Sequence, residues 1–181
     1  MTTKPDREAD PASRVLVLTQ ADEDSSALCT LLQQAGLACD TSSSIEDLRG
    51  KLEVGAGTAV ITEEALFAGN TTSLGEWVGS QPAWSDFPFI VLTNKEGKSP
   101  AHRNSSTILE LLQNVTLQER PVQTVTLISA VRSALRARHR QYELSKYIVG
   151  REQAEGRLED VKAGSMVYRR GGAKVYQLAE A

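Results

Sequence analysis

The sequence predicts an α/β protein, a parallel sheet between two layers of helices. Three observations carry that expectation: short apolar runs without polar alternation, amphipathic segments between those runs, and glycine or polar breaks where one pattern gives way to the other. Uninterrupted apolar strands belong to sheets covered on both faces, and strict alternation of strand with helix implies right-handed parallel crossovers.

Val15-Leu-Val-Leu18 is the first such run. Asp22 and Asp24 precede a helical stripe of Ala27, Leu28, Leu31, Leu32 and Ala35 that stops at Gly36, with carboxylates favoured at the N-terminal end of the helix dipole. Leu37 to Thr41 reads as a short outer strand. Ser43 and Glu46 have capping-box spacing ahead of Ile45, Leu48 and Leu52. Thr58 to Thr62 is a third strand, Leu74 to Val78 a helical segment with Trp77, Gln81 to Trp84 a loop, and Pro88 to Thr93 a fourth strand. Ile108, Leu109, Leu111 and Leu112 mark another helix, Asn114 to Glu119 a fifth strand, and Leu127, Ile128, Val131 and Leu135 a last helix. Such a (βα)5 series suits the flavodoxin-like, doubly wound strand order 2-1-3-4-5.

The expected organisation is a disordered leader over 1–13, one domain over 14–137, an extended helix or linker over 138–163 and a disordered tail over 164–181. The apolar face fades after Ala137, so the extension is expected to meet a partner helix through Leu135, Tyr142, Leu144, Ile148, Val149 and Leu158.

Composition excludes several classes. A net charge of −3 gives no overall attraction to nucleic acid or anionic membrane, and no segment approaches the roughly 18 uninterrupted apolar residues of a membrane span. The first residues lack the apolar stretch of a signal peptide, so the cytoplasm is expected. Cys29 and Cys39 are read as reduced core thiols, with a disulfide or metal site as the alternative. His102 and His139 are read as solvent-exposed, and no metal or cofactor is expected. Val54-Gly-Ala-Gly-Thr58 lacks the GxGxxG pattern and the P-loop lysine and reads as a turn. Arg132, Arg136, Arg138 and Arg140 form a basic cluster, read as a solvated or partner-facing helix because acidic residues follow and no DNA-reading element is evident.

In a sheet of this kind ligands gather beyond the carboxyl ends of the strands. Those ends are Thr19-Gln20, Thr62-Glu63-Glu64, Thr93-Asn94 and Arg120-Pro121. With a Thr closing the fourth strand and a basic residue before Pro closing the fifth, residues 14–137 resemble response-regulator receiver domains. The resemblance implies an acidic metal-binding pair at Thr19 and Gln20, an acceptor Asp at Thr62, a hydroxyl residue at Thr93 and a lysine at Arg120. Only Thr93 matches, and a hard divalent metal and an acyl phosphate both need carboxylates. A register shift of one residue would bring Glu63 to the acceptor position. Arg120 is expected to pair with Glu63 or Glu64, the alternative being a bound anion, and Pro121 follows either a cis bond, as in receivers, or an ordinary trans one.

Gln81-Pro-Ala-Trp-Ser-Asp-Phe-Pro-Phe-Ile-Val-Leu-Thr93, Asn114 to Pro121, Leu127 to Arg138 and Gln141-Tyr142 are similar to receiver-like segments at the front of bacterial sensor histidine kinases. This sequence contains no phosphoacceptor-histidine pattern and no ATP-binding glycine boxes. The resemblance implies a non-catalytic, phosphorylation-independent signalling module of a two-component system, working as a homodimer or with a sensor histidine kinase. The alternatives are a small-ligand or redox-cofactor sensor using Thr62, Thr93 and Arg120, and a phosphoacceptor using Glu63 or a displaced Asp.

Overall fold

The structure is a computed structural model, and it describes residues 11–94 and 101–148. Five parallel strands, β1 (Arg14–Leu18), β2 (Ala38–Ser42), β3 (Thr58–Thr62), β4 (Phe89–Asn94) and β5 (Val115–Arg120), lie in the order β2-β1-β3-β4-β5. This is the flavodoxin-like order expected from the sequence. The helices are α1 (Asp22–Gln34), α2 (Ile45–Val54), α3 (Glu63–Ala68), α4 (Thr71–Gly79), α5 (Ala101–Leu112) and α6, which begins at 124 and is helical to 148.

Each buried strand feeds both layers because successive side chains point to opposite faces. Leu16 and Leu18 join Leu48, Leu66, Leu74, Phe87, Phe89 and Ile108 beneath α2, α3, α4 and α5. Val15 and Val17 join Leu32, Val60, Ile90, Leu127 and Val131 beneath α1 and α6. The edge strands β2 and β5 are only partly buried, as strands with one open side must be.

Several boundaries differ from the sequence reading. Pro11–Ser13 forms a 3-10 turn with Ala12 buried, so packing begins before residue 14. Helix also precedes the segment read at Leu74 to Val78: α3 starts at Glu63, whose acidic first turn suits a helix N-terminus, and Asn70 then caps α4 by accepting from the Thr72 N–H. The cap of α2 is Ser44 rather than Ser43; its Oγ accepts from the Asp47 N–H at 3.1 Å while Asp47 reaches back to the Ser43 N–H at 3.0 Å.

The cysteines also differ. The structure joins Cys29 of α1 to Cys39 of β2 in a disulfide, with Cα atoms 5.5 Å apart, because the reversal at Gly36 (φ +79°) lays the strand back along the helix.

The chain divides into a compact unit ending at Tyr142 and another beginning at Glu143, so the domain runs past Ala137. Within the first unit Leu135 packs on the α1/α6 core layer, and Tyr142 is half-buried against Trp84. Leu144 and Ile148 are exposed, as is Tyr147, while Val149, Leu158, residues 1–10 and the tail 164–181 lie outside the described residues.

Candidate functional site at the strand ends

The carboxyl ends of β1, β3, β4 and β5 bring Thr19, Thr62, Thr93 and Arg120 to one edge of the sheet, since Leu18 pairs with Ile61, Thr62 with Leu92 and Asn94 with Arg120. The three threonines are all buried.

Each hydroxyl has a different fate. Thr19 Oγ1 donates to the Ala21 carbonyl at 2.6 Å and lies 2.9 Å from the buried Ser25 Oγ, which also accepts from the Thr19 N–H. Thr19 is thereby spent on holding the first turn of α1, and Gln20 beside it is exposed. Thr93 Oγ1 donates to the Gln118 carbonyl at 3.5 Å and ties β4 to β5. Thr62 is only 6% exposed, and its hydroxyl has no hydrogen-bond partner among the described residues.

Arg120 pairs with Glu64, the second residue of α3. Its guanidinium also donates to Asn94 Oδ1 at 2.8 Å, and Asn94 Nδ2 donates back to Glu64 Oε1 at 2.6 Å. The Asn94 N–H donates to Glu63 Oε2 at 3.4 Å. The ends of β3, β4 and β5 are thus bridged by a closed cycle of charge-assisted bonds. Burial raises the Glu64 pKa, but the backbone N–H, Arg120 and Asn94 outweigh it and hold the carboxyl below its ordinary value. The Arg120–Pro121 bond is cis.

The donors at this edge do not fit a hard divalent cation. Such an ion asks for several anionic oxygens, whereas β1 ends in Thr and Gln, Thr62 offers a hydroxyl, and Glu64 is committed to Arg120. Among the described residues no group of three His, Cys, Asp or Glu side chains is arranged to hold a metal. Glu63 begins α3 and does not occupy the last position of β3, where Thr62 stands.

A shallow cleft of about 260 Å³ opens beside β1, lined by Thr19, Gln20, Ser44, Glu46, Ala65 and Ala68. It lies beside the point where the strand order reverses, but it is small against ordinary ligand pockets of ~300–1,000 Å³. Thr62, Thr93 and Arg120 do not line it.

Sequence reasoning placed these strand-end residues together, Asn94 among them, but missed Ser25 and the bonds that Asn94 makes, which depend on side-chain direction. It also misjudged Arg138. The basic cluster is not a uniformly solvated face: Arg138 is 5% exposed and stacks over Trp84, Phe87 and Tyr142, while Arg132, Arg136 and Arg140 are exposed.

No family model matches the chain. No curated protein matches it either. Solved structures do. The signal receiver domain of an HD domain-containing protein from Pseudomonas fluorescens Pf-5 is similar over 77% of this chain and 98% of its own, with a TM-score of 0.60 at 13% identity. A response regulator receiver domain protein from Methanospirillum hungatei JF-1 covers 71% of this chain and 98% of its own, TM-score 0.57 at 15% identity. The receiver domain of a signal transduction histidine kinase from Syntrophus aciditrophicus covers 69% and 91%, TM-score 0.56 at 17% identity. By strand order and by these likenesses, the chain has the fold of a response-regulator receiver domain.

Proposed function

We propose that this chain is a non-catalytic, phosphorylation-independent receiver-like module of a two-component system, working in the cytoplasm by contact with a sensor histidine kinase or a second copy of itself. The observation that carries this reading is the state of the strand-end edge. A buried hydroxyl closes β3, and Arg120 is already neutralised by Glu64, so among the described residues the last position of β3 offers no carboxylate nucleophile and the basic residue of β5 is not free to receive a phosphoryl group. The ion pair stands in for a regulated phosphate and holds one arrangement of β3, β4 and β5.

Partner contact is assigned to α6 beyond the domain, where Leu144 and Ile148 are exposed at 59% and 45%. Large apolar side chains in successive turns of a helix favour a covering partner. Among the described residues no helix is long and apolar enough to cross a membrane.

The test is incubation with Mg²⁺ and a small phosphodonor followed by intact mass measurement. The mass is expected to stay unchanged; an adduct of one phosphoryl group sensitive to hydroxylamine would overturn the reading. The cleft beside β1 supports a second reading, a small-ligand sensor, which would show as saturable binding abolished by filling the cleft with Ala68→Trp.

A further inference from the structure

The loop that follows α4 and the last turns of the domain on α6 are joined through one buried cation. Arg138 is 5% exposed, and its guanidinium carbon lies 5.6 Å from the Trp84 ring centroid, 5.3 Å from that of Phe87 and 4.6 Å from that of Tyr142. Trp84 and Tyr142 themselves pack with centroids 5.6 Å apart. The guanidinium donates to Ser85 Oγ and to Gln141 Oε1, both at 2.7 Å. Gln141 in turn grips the loop backbone: its Nε2 donates to the Asp86 carbonyl at 2.6 Å and its Oε1 accepts from the Asp86 N–H at 3.1 Å.

Among the described residues every hydrogen-bond partner of this guanidinium is a neutral oxygen, and its Nε has none. A buried cation without a carboxylate depends on its cage, because water would solvate the charge at once if the cage opened. An apolar side chain at the same place would have no such alternative. The structure shows the closed arrangement, with the cation under three rings; opening it would hydrate the cation and release the last turns of α6.

We propose that Arg138, its aromatic cage and Gln141 form a clamp that switches the helical order of α6 from about residue 138 onward. On the reading given under Proposed function, which this inference deepens, the clamp decides whether Leu144 and Ile148 are offered on an ordered helix or on a frayed one. A break at the clamp is expected to free α6 and leave the sheet in place, because the hydrogen bonds and ring contacts of Arg138 and Gln141 off α6 go, among the described residues, to the loop at 84–87.

Amide hydrogen exchange on the full chain tests this, with Arg138→Lys and Gln141→Ala compared to the parent. Lysine keeps the charge but loses the planar fork and the stack and is more strongly hydrated. Both variants are expected to exchange at least tenfold faster across 138–148 while β1, β3 and β4 keep the parent's protection. Parent-like exchange in 138–148 for Gln141→Ala overturns the clamp. Should Arg138→Lys lower protection throughout the core, Gln141→Ala decides, and a loss spread equally over the core in that variant too also overturns it. Sedimentation and kinase pull-down of the same proteins separate this from the functional reading. Fast exchange in the variants with a parent that binds neither itself nor a kinase sinks the interaction reading and leaves the clamp; unchanged exchange with a partner bound does the reverse.

Discussion

Arg120 at the end of β5 and Glu64 in the first turn of α3 form an ion pair that crosses the edge of the sheet, and Asn94 at the end of β4 closes the cycle between them. Both side chains are about one-third exposed, at 32% and 31%, so solvent screens the pair and moderates its worth. Arg120→Ala is expected to lower stability by about 1 kcal/mol, since it leaves Glu64 without its cation but within reach of water. Urea unfolding measures this; a midpoint equal to the parent's would show that the cycle contributes nothing.

The same pair sets an acid limit. Glu64 is held below its ordinary value, and so is Asp47, first through the Ser43 N–H, against the opposing pull of burial, and then through Lys51. Both carboxyls bind a proton less readily in the folded chain than in the unfolded one, so acid favours unfolding. Their contribution is complete above the unfolded carboxylate value of about 4.3 and is lost as pH falls through the lower folded values. Glu64→Gln is expected to be less stable than the parent at pH 7 and to lose less between pH 5 and pH 3. Thermal melts across that window check it, and parallel curves for the two proteins would refute it.

Thr62 invites the opposite change. Its hydroxyl is buried without a partner among the described residues, a desolvation cost that Val would remove at nearly the same volume, and a β-branched side chain suits the strand. Thr62→Val is expected to stabilise the fold by up to about 1 kcal/mol. A destabilised variant would mean that the hydroxyl has a partner, such as a buried water.

Gly57 shows a close approach rather than a turn. A Cβ there would strike the Ala12 carbonyl and a methyl of Leu135, and the Gly57 N–H already donates to the Arg14 carbonyl at 2.7 Å. Overpacking of a core costs ~1–3 kcal/mol, and a backbone carbonyl cannot swing aside as a side chain does. Gly57→Ala is expected near the upper end of that range by chemical denaturation; a variant as stable as the parent would mean that the 3-10 turn at 11–13 moves freely.

Much of this fold is legible from residue patterns because its strands are covered on both faces. Val15-Leu-Val-Leu18 and Phe89-Ile-Val-Leu92 have no polar alternation, and such runs leave one class of sheet open to them. What escaped had no period to reveal it. At six residues, α3 is too short for a helical stripe. The Cys29–Cys39 bridge depends on how β2 lies against α1, and spacing alone is silent on that. At the strand ends, position along the chain located Thr19, Thr62, Thr93, Asn94 and Arg120, whereas the meeting of Asn94 with Arg120 depends on the register of β4 with β5, which no local signal encodes. Arg138 was misread for the same reason. Its cage comes from Trp84 and Phe87, more than fifty positions away, and a helical pattern shows only neighbours on the same helix.

That cage moves the domain boundary, with a consequence for truncation. Ending the chain after Ala137 removes Arg138, Gln141 and Tyr142 together, which strips Trp84 of its two aromatic and cationic contacts and frees the Asp86 backbone from Gln141. Cation–π contact and the net gain of each hydrogen bond are individually about 1 kcal/mol, so their joint loss is expected to cost roughly 2–4 kcal/mol. Ending it after Tyr142 keeps all of them, along with the packing of Leu135 that both chains share. The longer of the two truncated chains should therefore unfold at a denaturant concentration close to that of the full chain, and the shorter at a markedly lower one. Trp84 supplies the local readout, because its fluorescence should move toward that of a solvated indole only in the shorter chain. Equal midpoints and equal emission for the two would place the end of the domain at Ala137 and reduce the Arg138 cage to a surface contact.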